Sequence, residues 1–389
     1  MHDHTTPGWV DASSLTAPVS RLLDVDVDSI ESWSGERLVG GAGEALGVWR
    51  ISGTARTSGT TAPWTMILKG WPPFEGADDP TGWNWPRREA RAYGSGVLDD
   101  LPGGIRAPHC LGSEVLPDGS EWAWLTPLSD GSIESWSLDH FALVARHLGR
   151  FNGAYLVDTP IPDAPWLSKH WTSQWTEAAS GFIDLIEAHA DHPLVRRACP
   201  PALVSDLART WAERHTWLAV LDSLPQTFCH LDVFTRNVFL APGPDDVPEP
   251  RLIDWGFSGV AAVGEEIGPM AAATLIFDPP HGVEPPELER TVLDGYLAGL
   301  RDAGWSGDDL LVRLGYTGSV ALRYGPGAMR VVLMYLLNEP LYPAIEEIYG
   351  RSIEAIADRA AERHQWSMQV GEEFRRLVQS APAGLTPPR

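Results

Sequence analysis

Residues 226–256 constrain this chain more than any other stretch. An apolar run, Gln226–Cys229, leads into His230-Leu231-Asp232, and Asn237 follows five residues after Asp232. A second apolar pair, Leu252-Ile253, ends in Asp254-Trp255-Gly256. The pattern reads as a short strand into a loop, then a hairpin of Asn237–Leu240 with Arg251–Asp254 across the Pro- and Asp-rich segment Ala241–Pro250. Such a hairpin would carry Asp232, Asn237 and Asp254 to one rim. One carboxylate can then orient a hydroxyl and take its proton, while an amide oxygen and a second carboxylate hold Mg²⁺. Phosphoryl transfer from a nucleotide requires that set. It also asks the rest of the chain for a phosphate cradle, a paired lysine and a pocket.

The first 130 residues read as strand-rich. Residues 1–20 are polar and contain Pro7 and Pro18, and are expected to be a flexible lead-in. Ser29–Leu38 and Ala45–Ile51 flank the turn Gly40-Gly41-Ala42-Gly43, a β-hairpin signal. Glycine N–H groups there can approach phosphate oxygens, although glycine also serves hairpin turns on steric grounds alone. Ser52–Pro63, rich in Gly, Ser and Thr, reads as a surface loop. Trp64–Gly70 reads as a strand with one charge, Lys69, which either meets a phosphate or snorkels at the strand's end. Pro86 opens a helix on which Glu89 can pair with Lys69 or stay solvated. Arg106–Glu114 and Glu121–Leu125 read as two further strands, and Thr126-Pro127 breaks the pattern.

The remainder reads as helical, with stripes at 138–156, 171–190, 203–221, 270–277, 288–300, 308–324, 329–337 and 353–377. The expected architecture is α+β and bilobal. A lead-in over 1–20 precedes a small nucleotide-binding lobe over 21–127, an antiparallel sheet with one main helix. A large, mostly helical lobe over 128–389 carries the catalytic loop and substrate pocket.

Composition excludes some partners. A formal net charge of −23 over 389 residues leaves no cationic surplus for nucleic acid or an anionic membrane. No apolar stretch is long enough to span a bilayer, and the first residues lack a signal-peptide pattern. Three cysteines without metal or disulfide spacing fit a reducing cytoplasm. The expectation is a cytoplasmic protein acting on a small molecule, with its oligomeric state left open. Glu265, Glu266, Asp278 and the acidic balance suit an amine-bearing substrate, although acidic residues such as Glu265-Glu266 are also favoured where a helix starts. Trp166, Trp171, Trp175 and Tyr324 fit a pocket wall or a packed core equally well.

The order His230-Leu231-Asp232, Asn237, Leu252-Ile253-Asp254-Trp255 resembles the aminoglycoside phosphotransferase/choline-kinase family, small-molecule relatives of the protein kinases. Gly40–Gly43, Lys69, Glu89 and Trp124–Pro127 fall in that family's order, so the resemblance covers most of the chain. It implies a protein-kinase-like fold. It also implies transfer of the γ-phosphate of ATP (or GTP), with Mg²⁺, to a hydroxyl of an aminoglycoside, an amino sugar or another amino alcohol. Carried over, Asp232 would be catalytic, and Asn237 and Asp254 would ligate Mg²⁺. Lys69, held by Glu89, would contact the α- and β-phosphates. Backbone N–H groups of Gly40, Gly41 and Gly43 would cover the phosphates, and the backbone of Trp124–Thr126 would meet adenine. His230 would be structural, bonding backbone near Asp254.

The chain departs from the family at Leu231, where Gly or Asn is frequent, and at Phe234-Thr235-Arg236, where a Pro-Gly type turn is frequent. It lacks a protein-kinase activation-loop signature, which points to a small acceptor. Two other readings compete. A metal-dependent hydrolase would use His230, Asp232 and Asp254 as ligands, leaving Asn237, Lys69 and Glu89 without a role. A catalytically silent nucleotide-binding protein on the same fold would usually lack Asp232, Asn237, Asp254 or Lys69, and all four are present.

Overall fold

The computed structural model describes residues 6–38, 46–74, 79–128, 133, 135–243, 247–277 and 282–380. Helix α1 (Ala12–Leu23) opens the small lobe, where a flexible lead-in over 1–20 is expected. Asp11 caps it, accepting from the Ser14 N–H at 2.9 Å. Leu15, Pro18 and Val19 are buried on its inner side. Leu15 and Val19 pack in one cluster with Ile51, Met66, Leu68 and Trp124, and this burial holds a helix in a polar, proline-bearing segment.

Strands β1 (Ser29–Arg37), β2 (Gly47–Thr57) and β3 (Thr60–Trp71) precede helix α2 (Arg88–Gly94), and β4 (Cys110–Val115) and β5 (Glu121–Leu125) follow it. They form a five-stranded sheet in the order β1-β2-β3-β5-β4, antiparallel throughout. The expected loop over 52–63 is instead the β2–β3 hairpin. Its two-residue turn, Ser58 (φ 49°) and Gly59 (φ 82°), has both residues left-handed, the twist that suits a tight hairpin. Threonines supply the strand propensity that the small residues conceal.

The large lobe runs α3 (Leu138–Val157), α4 (Trp171–Ala178), α5 (Phe182–Ala188), α6 (Pro193–Ala198), α7 (Pro201–Ser223), then β6 (Gln226–Cys229), β7 (Val238–Pro242), β8 (Pro248–Leu252) and β9 (Gly259–Ala262). It closes with α8 (Gly268–Phe277), α9 (Pro285–Asp302), α10 (Asp309–Leu322), α11 (Ala328–Leu336), α12 (Tyr342–Tyr349) and α13 (Ile353–Ser380). The helix expected over 171–190 is two, because the chain turns at Gly181 with φ 79°. α10 and α11 join through a wide π-type turn, Arg323–Gly327, where Gly325 is non-helical and Pro326 offers no N–H.

β6 pairs with β9 and β7 with β8, both antiparallel. Asn152 of α3 donates to the Phe228 carbonyl at 2.8 Å and accepts from the Tyr296 hydroxyl of α9 at 2.7 Å, so two helices fix the strand that enters the His230–Asn237 loop. The architecture is α+β: a small antiparallel-sheet lobe carrying α2, and a large, mostly helical lobe. Among the described residues no helix is long and apolar enough to cross a membrane.

Candidate active site

β6 delivers the chain to His230, and the β7–β8 hairpin returns it to Asp254. The Ile253 N–H donates to the Asn237 carbonyl at 3.1 Å and closes the hairpin's mouth. The buried His230 donates from Nε2 to the Ile253 carbonyl at 2.9 Å, and its Nδ1 accepts from the Asp232 N–H at 3.2 Å. Burial pulls its imidazole down to about 4, so the ring is neutral and both nitrogens are occupied by backbone.

Leu231 adopts φ 65°, a left-handed conformation that costs a side-chain-bearing residue about 1–2 kcal/mol. Three features hold it there. Its side chain is buried in a cluster with Trp171, Cys229 and Ala261. Glu266 accepts from the Leu231 N–H at 3.2 Å and from the His230 N–H at 2.7 Å. The Arg323 guanidinium donates to the Leu231 carbonyl.

Asp232 is gripped at both carboxylate oxygens. Arg323 Nη2 donates to Oδ1 at 3.1 Å, and Asn237 Nδ2 donates to Oδ2 at 3.0 Å. Burial pushes this carboxyl up to about 6, while Arg323 pulls it back and Asp254 adds to the rise. Arg323 also lies 4.0 Å from the Trp171 ring centroid, a cation–π contact. No motif in the sequence singles out Arg323. The available signal is a cation that closes the apolar run Val320-Ala321-Leu322 just before Gly325-Pro326-Gly327, a costly place unless it is paired.

From the small lobe, Lys69 Nζ lies 2.6 Å from Glu89 Oε2 and 3.3 Å from Asp254 Oδ1. Burial alone would pull this ammonium down, but Glu89 and then Asp254 outweigh it and hold it above its ordinary value. Trp71 Nε1 also donates to Glu89, at 3.3 Å. The neighbouring Arg88 is fully buried and donates to the carbonyls of Trp83, Trp166 and Gly256 at 2.8–3.0 Å, tying the segment after Asp254 to α2.

Lys69, Glu89, Asp232, Asn237 and Asp254 thus meet on one cleft of about 1250 Å³, lined by both lobes. Leu38, Val48, Phe239 and Ile253 give part of it apolar walls. Trp171, Trp175 and Tyr324 line it as well, whereas Trp166 sits in the core. The Asp254 side chain is 46% exposed, and the Asn237 amide nitrogen is turned onto Asp232, so its oxygen is the atom that could ligate a metal. Two hard oxygens beside an open cleft fit Mg²⁺, which takes few protein ligands and completes its shell with phosphates and water.

Other expected site residues lie elsewhere. Glu265 and Glu266 are buried behind the loop and do not line the cleft. Glu265 accepts from Thr172 Oγ1 at 2.5 Å and the Ala262 N–H at 2.9 Å, so both acids brace backbone and neither faces a substrate. Trp124 packs behind the sheet, 5.9 Å from Trp9. The Thr126 N–H donates to the His109 carbonyl at 3.0 Å, and its hydroxyl accepts from the His109 N–H at 2.9 Å. Neither Trp124 nor Thr126 lines the cleft. Gly40, Gly41 and Gly43 lie outside the described residues.

Residues 100–310, more than half of the chain, match the model of a family described as "Phosphotransferase enzyme family". Among solved structures, amicoumacin kinase hAmiN in complex with AMP-PNP, Ca²⁺ and Ami has a TM-score of 0.53 at 13% identity, covering 88% of this chain and 91% of that one. Ethanolamine kinase from Plasmodium vivax has a TM-score of 0.47 at 14% identity, covering 89% and 84%. Spectinomycin phosphotransferase APH(9)-Ia, solved with ADP and spectinomycin, has a TM-score of 0.45 at 15% identity, covering 91% and 99%. No curated protein sequence matches the chain.

Proposed function

The chain belongs to the phosphotransferase enzyme family, and from that premise we propose that it moves the γ-phosphate of ATP or GTP to a hydroxyl of a small molecule. The observation that carries this reading is the meeting of the Lys69–Glu89 pair with Asp254, beside an Asp232 held at both oxygens, in one cleft. In this reading the purine lies against the apolar walls of the cleft, and Lys69 contacts the α- and β-phosphates. Asp232 orients the acceptor hydroxyl and receives its proton late, as a loose transition state requires. Arg323 and Asn237 keep that carboxylate from turning. Asn237 and Asp254 would hold Mg²⁺, which when bound neutralises charge on the phosphates.

The hydrolase reading fits less well, because His230 has no ring nitrogen left for a metal. Burial of Glu265 and Glu266 removes their support for an amine on the acceptor, and Asp278 lies outside the described residues. The test is Asp254→Ala. It should weaken Mg·AMP-PNP binding and remove nucleotide turnover while the thermal midpoint shows a folded chain. Full activity in Asp254→Ala would overturn the metal assignment. Tight Mg·AMP-PNP binding with no turnover across a broad panel of alcohols would favour a silent nucleotide-binding protein.

A further inference from the structure

The cleft has a basic end that the phosphoryl chemistry does not use. Arg359, Arg363 and His364 line it from α13, with Arg359 and Arg363 at the i, i+4 spacing that stacks side chains on a helix. Arg351, in the turn between α12 and α13, lines it too, as does Arg236 of the catalytic loop. The Tyr349 phenol feels both Arg236 and Arg363, so the basic end begins beside the loop that holds Asp232.

In a chain of net charge −23, this clustering of cations needs a cause. The lining carboxylates Glu89, Asp232 and Asp254 are already engaged by Lys69 or Arg323. Among the described residues, Arg359 Nε and Arg363 Nη1 are buried without a hydrogen-bond partner. Burial, then Arg359 and Arg351, pulls the Arg363 guanidinium down to about 9; the carboxylate that opposes this, Glu362, is exposed. His364 is 3% exposed and donates from Nδ1 to the Ala360 carbonyl at 2.6 Å, which leaves Nε2 a buried lone pair with no donor among the described residues. Clustered guanidinium groups repel one another and leave donors unmet until an oxyanion enters, and their planar fork matches a carboxylate or phosphate.

We propose that this end binds an oxyanion on the acceptor. The phosphorylated molecule is a small alcohol that also carries a carboxylate or phosphate group, held by Arg351, Arg359 and Arg363 while its hydroxyl lies at Asp232. His364 Nε2 can accept one further O–H. The acceptor oxygen bonds to the γ-phosphorus as the bond from that phosphorus to the β–γ bridging oxygen breaks. The hydroxyl proton passes to Asp232, and the nucleoside diphosphate leaves. The hydroxyl's fate rests on the phosphotransferase reading; the anion site stands on the arginines.

The experiment is thermal unfolding of the full chain with the nucleotide site saturated by Mg·AMP-PNP. Malate, glycerol 3-phosphate, ethanolamine or glycerol is added at equal concentration, and nucleoside diphosphate release from Mg·ATP is followed in parallel. A ligand that binds only the folded chain raises its midpoint. Malate or glycerol 3-phosphate should raise it by several degrees, and which of them does so separates carboxylate from phosphate. Ethanolamine and glycerol should not. In the Arg359→Gln/Arg363→Gln variant the rise should vanish, while the midpoint without anion is no lower than wild type because like charges have been removed. A flat response to both anions, an equal response to ethanolamine or glycerol, or a rise that survives in the variant would overturn the proposal. Failure of Mg·AMP-PNP itself to stabilise the wild type would count against the phosphotransferase reading, and an anion-specific, arginine-dependent rise would still register the site.

Discussion

Arg323 and Asp232 are 91 residues apart in the chain, yet Arg323 Nη2 donates to Asp232 Oδ1 at 3.1 Å while the same guanidinium donates to the Leu231 carbonyl. One side chain thus fixes both the carboxylate proposed to receive the proton and the strained residue before it.

This contact predicts a pH effect. Burial pushes Asp232 up to about 6, and Arg323 pulls it down from where burial alone would leave it. The proposed role needs the ionised form, so turnover should fall as pH drops through about 6. Arg323→Gln removes the pull and should move that acid limb upward by about one unit, since a neighbouring opposite charge typically lowers a carboxyl by about 1–3 units. The kcat–pH profile reads it, and an unmoved limb would show that Arg323 does not act on Asp232.

Glu266 predicts a loop collapse without direct contact with substrate. Glu266→Ala leaves the His230 and Leu231 N–H groups buried without their acceptor, at a cost of about 1–3 kcal/mol each. Glu266→Gln keeps one oxygen and should be milder. Urea unfolding together with kcat checks both, and kcat should fall further than nucleotide affinity does.

Leu231 predicts an inverted glycine effect. Glycine is ordinarily less stable than alanine by about 0.5–1 kcal/mol in regular structure. At φ 65° the order should reverse, with Leu231→Gly more stable than Leu231→Ala by about 1 kcal/mol, because only alanine bears the left-handed penalty. The urea midpoints of the two variants decide it.

The Lys69–Glu89 pair predicts separable effects on stability and turnover. Lys69→Met leaves Glu89 buried without its counter-charge, which should cost about 3–5 kcal/mol. Adding Glu89→Gln removes the orphaned charge and keeps an acceptor for Trp71 Nε1. That double variant should regain most of the lost stability, and its nucleotide turnover should stay absent. Recovery of turnover would remove Lys69 from the phosphates.

What the sequence reveals follows the range of the interactions. Asp232, Asn237 and Asp254 are legible together because a local hairpin, closed by Ile253 on Asn237, decides their placing. The two-lobe order is legible for the same reason: strand and helix signals are local. Arg323 is not, because its partner is remote in the chain and its π-type turn looks like a helix end. Glu266 reads as a residue at a helix start, and only the tertiary fold turns it onto the loop. The arginines of α13 look like the polar face of an ordinary helix until α11, α12 and the His230–Asn237 loop form the rest of their cavity. α1 and the β2–β3 hairpin escape because polar and small residues there are held by burial against the sheet.

Asp232 is proposed to act on an acceptor hydroxyl during phosphoryl transfer from Mg·ATP. The most direct test of this role is transfer of γ-labelled phosphate to a panel of small alcohols by the wild type and by Asp232→Asn. Labelled product is expected from the wild type, and a loss of about 10²–10⁴-fold in kcat for Asp232→Asn, the range expected for a general base, with Mg·AMP-PNP affinity retained. Asp232→Asn transferring label at the wild-type rate would contradict it.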